Sequence, residues 1–154
     1  MILNFQILDN SNLLKGAHTV ISGTFLIIAV WLLGRSIRGI RKNLTFTNLD
    51  KLLSYGFIIT LYLQLIFGLI LFATPGAEDG SNYSNLDGAL KMASKRFWPI
   101  EHIVLMLFAL FIANIGLIFS NQANKSKDKY KKILIYYSIA IVMIAISLTT
   151  VNLP

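Results

Sequence analysis

The stretch Leu52–Ala73, LLSYGFIITLYLQLIFGLILFA, decides the fold class. It carries no charged side chain, and it reaches the roughly 20 apolar residues a helix needs to cross a bilayer. Apolar residues follow one another without alternation, so neither a half-buried strand nor a segment of a transmembrane barrel fits. Three further runs share this character: Ala17–Gly34, Trp98–Ser120 and Ile133–Val151. Only Glu101 and His102, in the first turn of the third run, break the absence of charge and imidazole beyond His18. Such runs leave too little polar surface for a water-soluble domain. The expected fold is an all-α integral membrane protein, a single domain over residues 1–154 built as an up-down bundle of four transmembrane helices.

Composition agrees. Hydrophobic residues make up 55% and charged residues 14% of the 154 residues; an average soluble domain carries about 25% charged residues. The chain has no cysteine, which excludes disulfides, thiolate zinc sites, iron–sulfur clusters and covalently attached c-type haem. Its two histidines allow at most one paired imidazole site.

Orientation follows from the cations. Arg35, Arg38, Arg41, Lys42 and Lys51 lie in the first loop, and Lys125, Lys127, Lys129, Lys131 and Lys132 in the third. The second loop balances Lys91, Lys95 and Arg96 against Glu78, Asp79 and Asp87. The positive-inside rule places loops one and three in the cytoplasm and both termini in the periplasm of a bacterial inner membrane. The net charge of +7 is then an anchor facing anionic lipid, with no nucleic-acid partner implied. The first run has a poor signal-peptide n-region, with Asp9 and only Lys15 ahead of it, and arginines follow it directly. It is expected to be a retained membrane anchor.

Local signals fit this map. Thr47-Asn48-Leu49-Asp50 reads as a capping box opening helix two, and Thr74-Pro75-Gly76 as its end. Ser84-Asn85-Leu86-Asp87 reads as a cap for a short amphipathic stretch through Met92, after which Trp98-Pro99 opens helix three. Tyr83, Phe97 and Trp98 suit the outer membrane interface; Trp31, Tyr55, Tyr130, Tyr136 and Tyr137 suit the inner one.

The histidines carry the chemistry. His18 and His102 open helices one and three, which run parallel in such a bundle, so both imidazoles reach one depth near the periplasmic face. Two neutral imidazoles on facing helices are a suitable axial pair for a b-type haem. Ser22, Phe25 and Ala29 lie below His18; Met106, Ala109, Ala113 and Gly116 lie below His102. These small residues either leave room for a flat macrocycle or are helix-packing positions. Met106 would line the site, and Lys15, Lys95 and Arg96 would pair with propionates. A histidine at a helix end is also commonly an interfacial polar residue. A zinc site would need Glu101 or an outer-loop carboxylate to complete it. Glu101 points about 100° away from His102. It is either a proton acceptor beside a redox site, for instance for a quinol hydroxyl, or a helix-start carboxylate paired with Arg96 or Lys95. Gln64 and Asn114 are amides expected to hydrogen-bond between helices, with a quinone contact as the alternative.

The segments Arg96-Phe97-Trp98-Pro99-Ile100-Glu101-His102 and Gln64-Leu65-Ile66-Phe67-Gly68 resemble small four-helix membrane proteins of Bacteroidota labelled cytochrome b-like. With the helix-one histidine and the lysine-rich third loop, the resemblance covers most of the chain. It implies haem binding and electron transfer. Members of that family often carry histidines where this chain has Tyr62 and Leu117, so a second, inner haem is not implied. The leading expectation is one outer haem b on His18 and His102, with electron transfer linked to a quinol or to a larger respiratory complex. The alternative is a cofactor-free accessory subunit of a larger membrane complex. A transporter would call for broken spans and several buried charges, which the runs lack.

Overall fold

A computed structural model describes the backbone of residues 2–73 and 86–149, and the side chains of residues 12–73 and 100–148. Among the described residues the chain forms four helices: α1 Ile2–Lys42, α2 Asn48–Ala73, α3 Leu86–Gln122 and α4 Ser126–Thr149. Each contains a segment long and apolar enough to cross a membrane, namely Asn12–Lys42, Asn48–Ala73, Ile100–Gln122 and Ser126–Leu148. The apolar runs therefore mark the helices, while the helices extend into the flanking polar sequence.

Local chemistry sets the ends. α1 stops where Asn43 takes a left-handed conformation (φ 50°) and Leu44 N–H donates to the Gly39 carbonyl at 3.0 Å. This is a Schellman-type stop, and asparagine tolerates its φ better than most side chains. Thr47 caps α2: Asp50 Oδ2 accepts the Thr47 N–H at 2.8 Å and the Thr47 hydroxyl at 2.7 Å. The carboxylate half of the expected capping box is thus in place. α3 corrects the sequence reading. It begins at Leu86 and runs unbroken through Pro99, so the short amphipathic stretch and the third span are one helix. Nothing between Met92 and Trp98 resists helix formation, and α3 continues through Pro99 although the proline withholds one N–H and crowds the preceding turn. Thr74–Gly76, Tyr83, Ser84 and Asn85 lie outside the described residues, as do the side chains of Phe97 and Trp98.

α1 packs against α2 and α4, and α3 packs against the same two helices. α1 and α3 are therefore diagonal partners, as are α2 and α4. Short connections after α1 and α3 bring the basic residues to one end, called here the basic end; His18 and His102 occupy the other.

The core is aromatic at mid-height. Phe57 stacks on Tyr137 with ring centroids 4.3 Å apart, and Phe25 lies tilted against Phe57 at 4.9 Å. Tyr137 reaches across the diagonal to donate its hydroxyl to the Ser54 carbonyl at 3.1 Å. Tyr130 and Tyr137 are thus core residues, 1% and 0% exposed, where the sequence suggested interface positions. A buried tyrosine needs an acceptor, and both have one. Tyr55 does stay exposed, accepting from Asn121 Nδ2 at 3.2 Å. The apolar side chains of Leu26, Ile27, Val30 and Trp31 also face outward, as suits lipid contact.

The basic end is tied by one carboxylate. Asp50 is fully buried. Arg35 grips it with Nε on Oδ1 at 2.5 Å and Nη2 on Oδ2 at 3.1 Å, and Tyr130 donates to Oδ2 at 2.8 Å. Arg35, counted from sequence among the loop cations, is instead the buried acid's counter-ion. Gly39 is required beside this network, because a Cβ there would collide with the Tyr130 ring. The network fastens α1, α2 and α4 together.

Candidate histidine site between diagonal helices

His18 on α1 and His102 on α3 are both half-buried, and they lie close enough for charge on one to act on the other. His18 lies against α2, and His102 against α4. The two histidines that the sequence singled out thus lie within electrostatic reach of each other, at one end of the bundle.

His102 is oriented by α4. Its Nδ1 lies 3.0 Å from Ser147 Oγ, and Ser147 donates its own hydroxyl hydrogen to the Ile144 carbonyl at 2.7 Å. With that hydrogen committed, Ser147 accepts from Nδ1–H, which leaves the lone pair of the neutral ring on Nε2. Metal-ligating histidines are commonly held in this way, by a hydrogen bond at the other ring nitrogen.

His18 is set against α2. Its Cε1 would stand 3.8 Å from a Cβ on Gly68, so the ring lies over bare backbone there. One turn below, Gln64 Nε2 donates to Ser22 Oγ, and Ser22 donates to the His18 carbonyl at 2.9 Å. Ser22, expected in the haem surroundings, therefore joins α1 to α2. Two polar atoms here are buried without a hydrogen-bond partner: His18 Nδ1 and Gln64 Oε1. Leaving a buried polar atom unmatched costs about 1–3 kcal/mol, and Gln64 is only 6% exposed.

The floor below the imidazoles is closed. Phe25 and Met106 are buried in the core cluster, and so are Ala29, Ala109 and Ala113, packed with Ile133, Tyr137 and Ala140. These alanines are buried in a cluster that also holds Phe57 and Tyr137, and so serve close helix packing. A flat ligand would have to lie at the level of the histidines. The donor set itself fits a haem: two imidazoles from opposing helices, one with its Nε2 lone pair fixed. Among the described residues no three His, Asp or Glu side chains gather around a point that could hold a metal ion.

The remaining candidates are dispersed. Lys15 and Glu101 are exposed at the same end, Glu101 turned away from the bundle axis. Lys95 and Arg96 lie in α3, but their side chains are outside the described residues. Asn114 Nδ2 donates to Leu110 O at 2.8 Å and more weakly to Tyr62 Oη at 3.4 Å. Leu117 packs against the core. Sequence reasoning missed Ser147. Its signal was depth alone: a serine near the end of α4, at the level of His102.

No protein-family model, curated protein or solved structure matches the chain.

Proposed function

We propose that this is a membrane electron-transfer protein that holds one b-type haem between His18 and His102. The reading rests foremost on one observation: the only two histidines of the chain stand on diagonal helices at one end of the bundle, with His102 Nδ1 committed to Ser147. A haem held this way supplies a reversible one-electron couple. The chain's own part is orientation and exclusion. Ser147 fixes the His102 tautomer, and the floor of Phe25 and Met106 keeps water from the lower face. With the basic end in the cytoplasm, as the positive-inside rule directs, the site faces the periplasm of a bacterial inner membrane. A quinol is a fitting electron donor. A larger respiratory complex is a fitting partner.

The test is the absorption spectrum of the full chain purified from haem-replete cells. Reduced α and Soret bands of b-type haem are expected, lost in His18→Ala and in His102→Ala. Ser147→Ala is expected to keep the pigment and shift its midpoint potential, since it alters the basicity of His102 without removing a ligand. Colourless wild-type protein that co-purifies stoichiometrically with other subunits would instead establish the accessory-subunit role.

A further inference from the structure

The basic end carries a groove of about 670 Å³ between the end of α3 and the start of α4. Lys125, Lys131 and Lys132 are in its lining, and Phe119 and Ile135 form its apolar part. Asp128 is the single carboxylate in the lining, so the groove is net cationic. All three lysines are exposed. Lys132 Nζ stands over the Phe119 ring, 5.7 Å from its centroid, which holds an ammonium at the edge of the apolar floor. Phe119 and Ile135 are 41% and 54% exposed.

The apolar part continues beyond the groove. Ile135, Ile139 and Val142 are exposed at intervals of four and three along α4, and so lie on one face of the helix. A ligand matching this surface has an anionic head and an apolar tail. Other cations at this end offer less. Arg35 is taken up by Asp50, and Arg38, Arg41 and Lys42 are exposed without forming part of the groove.

We propose that this groove is a binding site for one anionic phospholipid, its headgroup phosphate among Lys125, Lys131 and Lys132 and an acyl chain along Ile135, Ile139 and Val142. Basic pockets at the ends of membrane helices recognise such headgroups by charge, and the apolar track excludes a free anion as the favoured ligand. The site is independent of the haem reading.

Native mass spectrometry of the delipidated full chain in detergent tests it, with phosphatidylglycerol, phosphatidylcholine and inorganic phosphate as probes. One phosphatidylglycerol is expected to be retained in preference to phosphatidylcholine, and inorganic phosphate is expected not to displace it. Each neutralised lysine is expected to cost about fivefold in affinity, roughly a hundredfold for K125Q/K131Q/K132Q together. The control R38Q/R41Q/K42Q removes equal charge from the end of α1 and should leave retention unchanged. Ile135→Ser should weaken phosphatidylglycerol binding with no change of charge, and covers the case in which the triple variant fails to fold. Equal losses in the two triple variants would mean diffuse attraction and overturn the site. Equal retention of the two lipids, or displacement by inorganic phosphate, would overturn it as well.

Discussion

The two ends of the bundle treat buried polar groups in opposite ways. At the basic end the Asp50 carboxylate is fully buried and receives Arg35, Thr47 and Tyr130. At the histidine end His18 Nδ1 and Gln64 Oε1 are buried with no partner. Ser36 Oγ, next to Arg35, is also unmatched, so the contrast concerns the charged, imidazole and amide groups. A site built for stability satisfies its donors and acceptors internally; a site that departs from this rule is where a ligand is expected. The basic end is a fastening, whereas the histidine end leaves an imidazole nitrogen and an amide oxygen unmatched among the described residues.

The largest expected effect comes from cutting the fastening. Arg35→Ala leaves a buried carboxylate without its counter-ion, a loss of about 3–5 kcal/mol. Unfolding followed by circular dichroism in detergent measures it. A loss near zero would show that Asp50 is held without Arg35 and would erase the contrast between the ends. Next in size is a paired glycine experiment. Gly39→Ala forces a methyl into the Tyr130 ring and should cost about 1–3 kcal/mol. Gly68→Ala adds a methyl 3.8 Å from His18 Cε1, an ordinary contact, and should leave stability nearly unchanged. Equal effects at both glycines would mean the ends are packed alike. Tyr137→Phe is expected to cost about 0.5–1 kcal/mol, because it removes one interhelical hydrogen bond to Ser54 while keeping the stack on Phe57.

The sequence made the fastening only half legible. Four apolar runs marked the helices, and Thr47 with Asp50 marked the start of α2, because hydropathy and capping are local signals. Arg35 read as one loop cation among several, since charge counting cannot tell a lipid-facing arginine from one that has found a carboxylate 15 residues away. Tyr130 and Tyr137 read as interface residues for the same reason: their hydroxyl partners come from another helix, 80 and 83 residues earlier in the chain. The histidine pair was legible because scarcity and depth single it out. The roles of Ser147 and Gly68 were not, since both depend on which helices become neighbours and how each is rotated. The alanines below the histidines show the limit from the other side, because small residues in sequence do not reveal whether a neighbour fills the space.

The smallest expected effect on stability is the most informative at the histidine end. His18→Leu replaces the imidazole with an apolar side chain of similar reach and removes the unmatched Nδ1. In haem-free protein the change should be neutral or stabilising by up to about 1 kcal/mol, since the desolvation cost of an unpaired atom is relieved. In protein from haem-replete cells the same substitution should abolish b-type absorption and any added stability that bound haem confers. A marked loss of stability in the haem-free protein would show that His18 is a structural core residue whose partners arise within the chain. The histidine end would then be a fastening like the basic one, and the contrast would fail where it matters most for function.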